Sequence, residues 1–357
     1  VGVVAPWNDP RFLVMGPLAS ALAAGNRCMV KMAANSAHLC ELMHRLIQEQ
    51  FDENTLALLP GVRGSEFTTL PFDHVIFTGS AETGRTVMKA AAENLTPVTL
   101  ELGGKSPTII ADDFDVELAA SRILFTKFMN AGQTCVAPDY LYIPAAKKDA
   151  FVAAAKKIMA KRYPQLDNGQ FTTVIDDSSY ARLTATMQDA QQKGATLVNL
   201  APGFEPNATT RLLPPHLVLD VTDDATIMQE EIFGPLFPIR TYTDIDEVLN
   251  YINTRDRPLG LYLFSNDKSL TDKVVKNTIS GGVSINDCSF HVAQHDIPFG
   301  GVGASGMGHY HGHEGFIEFS KMRPIFSQFR FSALPLMYPP YGKVFRTLYN
   351  LMIKLKL

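Results

Sequence analysis

Cys135 closes a GQTC tetrapeptide, Gly132–Cys135. A Gly-Gln-Thr turn after a helix ending near Met129 predicts a loop-to-helix junction for the thiol. Backbone N–H groups at such a junction stabilise a thiolate and lower its pKa. Taken alone, the tetrapeptide also fits a core cysteine. Glu101 opens ELGGK, Glu101–Lys105, directly after the apolar run Val98–Leu100. A carboxylate at the C-terminal end of a strand sits where α/β folds gather their chemistry, and the two glycines allow close approach of backbone or substrate. The simpler alternative is a strand-end Glu facing solvent. Asn8, in PWN, is either an oxyanion donor or a turn residue. In FTGSAETG, Phe77–Gly84, the glycines are not spaced as GxGxxG. A glycine turn entering a helix still presents N–H groups suited to pyrophosphate, though an ordinary βα turn has the same form. EEIFGP, Glu230–Pro235, and PFGGVGASGMG, Pro298–Gly308, each read in isolation as surface loops.

The elements that must position these groups alternate. Strands are expected at Val1–Ala5, Cys28–Lys31, Val75–Phe77 and Val98–Leu100, with helices over Pro10–Ala24, His38–Phe51 and Glu82–Glu93. This βαβα rhythm predicts a parallel sheet with helices on both faces. A second series follows, with strands Thr108–Ala111, Tyr140–Ile143, Leu217–Val221, Phe237–Thr241, Leu261–Phe264 and Gly282–Ile285. Its helices are Val116–Met129, Lys147–Arg162, Ala181–Lys193, Ile245–Thr254 and Leu270–Ser280. Pro202–Pro215 reads as a surface excursion. After Ser320 the pattern changes to a Pro-rich segment and an apolar-basic tail.

The 357 residues carry a formal net charge of −4, which removes nucleic acid as an expected partner. None of the four cysteines, Cys28, Cys40, Cys135 and Cys288, forms a CxxC, which points to a reducing, cytoplasmic setting. The chain opens on VGVVAPWNDP without a Met or a secretory pattern, so a truncated reading frame is expected. His309, His311 and His313 alternate in HYHGH, but no nearby carboxylate or Cys completes a tetrahedral set; a structural role is expected, and no metal. The tail KVFRTLYNLMIKLKL places Phe345, Leu348, Met352 and Leu355 on one helical face, with Lys343, Arg346, Asn350 and Lys354 on or near the other. Docking on protein is favoured for it over peripheral contact with a membrane.

Taken in order, PWN, the strand-end Lys31, FTGS, ELGGK, GQTC, EEIFGP and PFGG resemble the aldehyde dehydrogenase superfamily across nearly the whole chain. GMGHYHGHEGF, Gly306–Phe316, and MYPPYGK, Met337–Lys343, are similar to its class 3 branch, which includes coniferyl and fatty aldehyde dehydrogenases. The resemblance implies an α/β fold of two doubly wound parallel-sheet domains with a C-terminal bridging strand and tail. Residues 1–102 would form an NAD(P)-binding domain lacking its N-terminal part, 103–319 the catalytic domain, and 320–357 the bridging segment. The implied reaction oxidises an aldehyde, aromatic such as coniferyl aldehyde or hydrophobic aliphatic, to the acid with NAD or NADP. Cys135 would form a thiohemiacetal and then a thioester, Asn8 and the Cys135 N–H would hold the oxyanion, and Glu101 would activate water. For the cofactor, Gly79 and Ser80 would meet the pyrophosphate, Lys31 the adenine ribose and Glu231 the nicotinamide ribose. Phe233 would lie beside the nicotinamide, and Trp7, Gly84 and Leu102 would complete the site.

Two departures stand out. Family members follow the strand-end Lys with Pro, a small residue and Glu; here Met32, Ala33 and Ala34 follow Lys31. Without that carboxylate nothing repels a 2′-phosphate, so NADP is expected to be accepted. About a hundred residues that precede PWN in the family are also expected to be missing. Two other functions compete: a coenzyme A-acylating enzyme, against which Glu101 argues, and a non-catalytic fragment that pairs with a full-length subunit. Pro324–Ser332 reads as an apolar edge strand, and pairing it across a two-fold axis predicts a homodimer.

Overall fold

The computed structural model describes residues 1–356. Val1–Ser320 forms one compact unit and a second begins at Lys321. The first unit holds two sheets, each flanked by helices. β1 (Gly2–Ala5), β2 (Cys28–Met32), β3 (Leu56–Leu58), β4 (Val75–Thr78) and β5 (Val98–Glu101) are parallel neighbours in the first sheet. β6 (Pro107–Ile110), β7 (Tyr140–Pro144), β8 (Thr196–Asn199), β9 (His216–Leu219), β10 (Leu236–Tyr242), β11 (Gly260–Phe264) and β12 (Gly282–Ile285) form the second. A last strand, β13 (Gly306–Met307), returns to the first sheet and pairs antiparallel with β5. The orders are β13-β5-β4-β1-β2-β3 and β12-β11-β6-β7-β10-β9-β8.

The central strands are apolar along their whole length because helices cover both faces. β1, β4, β6, β7 and β11 are buried at every position. Local chemistry starts several covering helices. Ser80 accepts a hydrogen bond from Thr83 N at the start of helix Ala81–Ala92, and Asp115 caps helix Val116–Phe128 through Leu118 N.

The structure corrects several sequence expectations. β3, β8 and β13 were not expected, and each is short, exposed in part or at a sheet edge, so its periodicity is weak. β8 pairs antiparallel, so the second sheet is not wholly parallel. The helix expected to reach Met129 stops at Phe128, where Asn130 and Ala131 turn left-handed with φ of 51° and 52°. Cys135 therefore lies in a turn that leads into strand β7, not at the start of a helix. The excursion Pro202–Pro215 is exposed only in its first part; Leu212–Pro215 are buried. Segment 306–318 adds β13 and a short helix, Gly312–Glu318, which packs on helix Pro10–Ala23.

In the second unit, Pro324–Ser332 makes no strand ladder within the chain. Ile325, Phe326, Phe329 and Phe331 are 80–88% exposed. Helix Lys343–Leu355 follows, and its Leu348, Met352 and Leu355 share an apolar hollow with Leu334 and Met337. Among the described residues no helix is long and apolar enough to cross a membrane.

Candidate active site

The turn carrying Cys135 is tied down from several directions. Gln133, fully buried, donates from its side chain to Asn130 O (3.0 Å) and Thr173 O (3.2 Å) and accepts from Ile175 N (2.9 Å). Asn130 donates to Asn8 O at 3.1 Å, which ties the turn to the segment after β1. Val136 O accepts from Tyr262 Oη at 2.6 Å and from Ser289 Oγ. Gly132 has φ +74°, and a Cβ there would strike Gly234 O, so only glycine lets the EEIFGP loop reach this turn.

Cys135 and Asn8 share a cavity of about 310 Å³ whose other walls include Phe12, Phe125, Phe290 and Phe299. Burial pushes the Cys135 thiol up to about 12, and the nearby charges of Glu231 and Glu101 add to the rise. The N–H groups of Cys135 and Val136 point at the sulfur and favour the thiolate, as the sequence reading held, but burial outweighs them. The lowered thiol pKa expected from GQTC is therefore corrected. Cys28, Cys40 and Cys288 are buried.

Glu101 ends β5 with 2% of its surface exposed and no hydrogen-bond partner on either carboxylate oxygen. It does not face solvent. Burial raises its pKa well above the usual carboxylate range, with the charge of Glu318 as second cause.

A second cavity, about 550 Å³, is lined by Ser80, Ala81, Gly103, Gly104, Lys105 and Glu231, among others. The Glu231 carboxylate folds over Gly103 so closely that a Cβ there would overlap it. Burial raises Glu231 to about 7, with Asp139 as the next cause. Lys105 pairs with Asp139 and donates to Ile227 O (2.7 Å) and Glu230 O (2.9 Å), which anchors ELGGK to EEIFGP. Gly79 N donates to Glu101 O at 3.0 Å, joining FTGS to ELGGK. Leu102 packs on Gly84, where a Cβ would lie 2.9 Å from its Cδ2. Trp7 meets Phe233 edge-on with ring centroids 5.6 Å apart. Lys31 is half-buried at the C-terminal half of β2, its pKa lowered by burial. A cleft with a helix start, a glycine cradle and a carboxylate fits a dinucleotide.

Sequence reasoning missed Tyr310 and Glu318. Tyr310 is fully buried, and its hydroxyl has no partner. Burial holds it neutral, and the charges of Glu101 and Cys135 act in the same direction. His311 is buried against Phe12 and Phe299, while His309 faces Glu314 at 3.6 Å, a carboxylate overlooked in the HYHGH reading. These roles come from residues far apart in the chain, and no local pattern marks them.

The model of the "Aldehyde dehydrogenase family" matches residues 1–325. A "Probable coniferyl aldehyde dehydrogenase" of Pseudomonas aeruginosa is 50% identical over 99% of this chain and 74% of its own length. "Aldehyde dehydrogenase family 3 member A2" of Mus musculus is 39% identical over 90% of this chain and 66% of its own. The solved structure "Substrate bound state of Staphylococcus Aureus AldH" superposes with a TM-score of 0.90 at 40% identity, over 98% of this chain and 76% of that one.

Proposed function

This chain belongs to the aldehyde dehydrogenase family, and on that premise we propose that it oxidises a hydrophobic aromatic aldehyde to the carboxylic acid with NAD(P)⁺. The observation that carries the proposal is the shared cavity of Cys135 and Asn8, walled by Phe12, Phe125, Phe290 and Phe299. A flat aromatic ring finds edge and face partners there. Coniferyl aldehyde, named for a close relative, is the substrate to try first.

Cys135 Sγ attacks the aldehyde carbon as its proton passes to a water in the cavity, to be taken back when the thiolate leaves at the end of the cycle, and the oxyanion is held by the Asn8 amide and the Cys135 N–H. A bound NAD(P)⁺ would supply the hydride acceptor, and loss of hydride from that carbon would leave a thioester on Cys135. Glu101 then takes a proton from water, the hydroxide adds to the thioester, and the C–S bond breaks to release the acid. Ser80, Gly79, Lys31 and Glu231 would hold the dinucleotide, with Phe233 and Trp7 on its nicotinamide side and Gly84 and Leu102 supporting the turn. Ala34 in place of a carboxylate supports acceptance of NADP⁺ beside NAD⁺. In this reading residues 1–102 bind cofactor, 103–319 carry the thiol and 320–357 serve assembly. The exposed row Ile325, Phe326, Phe329 and Phe331 supports pairing with a second copy of the chain. Four unpaired cysteines support a reducing, cytoplasmic setting.

The test is single-turnover kinetics on the intact protein with coniferyl aldehyde. Cys135→Ala should show no NADH while still binding cofactor. Glu101→Gln should give one NADH burst and then stall as thioester accumulates. Steady turnover in Cys135→Ala refutes the nucleophile, and an unchanged steady rate in Glu101→Gln refutes the base.

A further inference from the structure

Each turnover leaves a proton on Glu101, and a carboxyl with 2% of its surface exposed has little direct contact with solvent through which to lose it. Glu101 and Thr99 alternate along β5, so their side chains share one face of the sheet. Thr99 is fully buried, and its hydroxyl donates to Glu318 Oε1 at 2.6 Å. The same hydroxyl oxygen lies 2.7 Å from His74 Nε2. Glu318 comes from helix Gly312–Glu318, and the next residue, Phe319, packs edge-on against the His74 ring at 5.2 Å. Gly308, with φ +74°, makes the room: a Cβ there would overlap Glu318 Oε1 and lie 3.0 Å from Thr99 Cγ2. His74 is half-buried, between this interior and the surface.

We propose that Glu318, Thr99 and His74 form the route by which the proton taken up by Glu101 leaves the active site. The inference rests on Glu101 acting as the base. The proton passes from the Glu101 carboxyl to the Glu318 carboxylate, which resets Glu101 for the next water. Once Glu318 is protonated and His74 has exchanged its ring proton through solvent from Nε2 to Nδ1, the two hydrogen bonds reverse: the Glu318 O–H donates to Thr99 Oγ1, and the Thr99 hydroxyl donates to His74 Nε2. One concerted shift along them moves a proton to His74 and restores the Glu318 carboxylate. His74 then loses its other ring proton to solvent. No bond other than O–H and N–H changes, and no co-reactant is needed. The charges facing this line make the first transfer its uphill step, which proton loss from His74 must draw forward. Glu318 makes Glu101 hold its proton more tightly, with Tyr310 and Cys135 on the active-site side. Burial holds His74 below its ordinary value, against the attraction of Glu318 and together with the amino group of Val1, so it releases a proton readily near neutrality.

Glu318, Thr99 and His74 touch neither substrate nor cofactor, so they are positioning residues and their loss should spare the first hydride transfer. The test compares Thr99→Val, Thr99→Ser and Glu318→Gln in the intact protein by stopped-flow NADH formation. Burst rate and amplitude should match wild type in all three. The steady rate should fall about tenfold in Thr99→Val and Glu318→Gln, the lower end of what a positioned proton acceptor contributes. Thr99→Ser, which keeps the hydroxyl, should retain it. Imidazole or formate buffer should restore part of the lost rate by carrying the proton. In Glu318→Gln the acid limb of kcat should move to lower pH, because removing a neighbouring negative charge makes Glu101 easier to ionise. A packing defect would produce neither the buffer rescue nor the pH shift. A full steady rate in Thr99→Val, a Thr99→Ser as slow as the valine variant, or a loss that no buffer restores overturns the proposal. If Thr99→Val folds poorly, Glu318→Gln decides by the same buffer rescue and pH limb. Turnover that survives in Glu101→Gln sinks the base reading itself, whereas collapse there with normal Thr99→Val and Glu318→Gln sinks only the route.

Discussion

Cys135 should be nearly inert to alkylation in the protein without cofactor. With its pKa pushed to about 12, only about 3 molecules in 10⁵ carry a thiolate at pH 7.5, against several in a hundred for an ordinary cysteine, a difference of roughly a thousandfold. Burial is the largest cause and cannot be removed by one conservative substitution. The second cause, Glu231, can be: Glu231→Gln deletes a charge and little else. Glu231 itself is raised to about 7, so in the wild type it is largely neutral below pH 6 and largely charged above pH 8. A negative neighbour disfavours the thiolate. Glu231→Gln should therefore alkylate like wild type at pH 5.5 and about tenfold faster at pH 8.5, if the pair interaction is worth about one pKa unit, or ~1.4 kcal/mol. The assay is iodoacetamide labelling from pH 5.5 to 9.5, followed by mass spectrometry of the Cys135 peptide. The Glu231→Gln rate should climb about tenfold per pH unit throughout, because the thiol stays far below its pKa, and the wild-type rate should fall about tenfold short of that climb between pH 5.5 and 8.5, where Glu231 ionises. A plateau below pH 9 would refute the burial argument, and a variant-to-wild-type ratio that does not change with pH would refute the assignment to Glu231.

Gly103→Ala should raise KM for the cofactor about tenfold by displacing the Glu231 carboxylate, with kcat less affected; thermal melting alongside kinetics separates this from unfolding. Tyr262→Phe removes one of two buried donors to Val136 O and should lower stability by ~1 kcal/mol and slow the NADH burst, since that carbonyl fixes the turn beside Cys135. Ala34→Glu should reduce kcat/KM for NADP⁺ by roughly tenfold or more relative to NAD⁺, because like charges would meet at the 2′-phosphate; an equal loss with both cofactors would show that position 34 does not face the ribose. Deleting the chain after Ser332 should leave a dimer by light scattering and deleting it from Pro324 should not; a stable dimer without Pro324–Ser332 would count against pairing through that segment.

The two-sheet fold was legible because its inner strands are continuous apolar runs and its longer helices show clear periodicity. The helix from Ala37 to Gln50 buries Cys40, Met43 and Ile47, three and four residues apart. What escaped were short edge elements whose identity depends on a distant partner. β13 is two residues long and exists because Gly306 and Met307 meet Glu101 and Leu100. The setting of Cys135 was misjudged for a related reason. A Gly-Gln-Thr turn says nothing about the strand that follows it, and its N–H groups were weighed without the burial that opposes them.

The site shows the same limit more sharply. GQTC, ELGGK and EEIFGP are visible as motifs because each holds several chemically unusual residues in a row. Their joints are not visible: Gly132 against Gly234, Lys105 against the carbonyls of Ile227 and Glu230, and Thr99 against Glu318, the last pair 219 residues apart. Each joint uses a common residue whose meaning comes from what faces it. A threonine on an apolar strand is ordinary; a buried threonine hydroxyl held between a carboxylate and an imidazole, one residue-pair from an unpartnered glutamate, is a place where a proton can move. Such a place exists only because Gly308 leaves the space that Glu318 fills, so Gly308 and Thr99 constrain the chemistry at Glu101 without belonging to any motif that announces it.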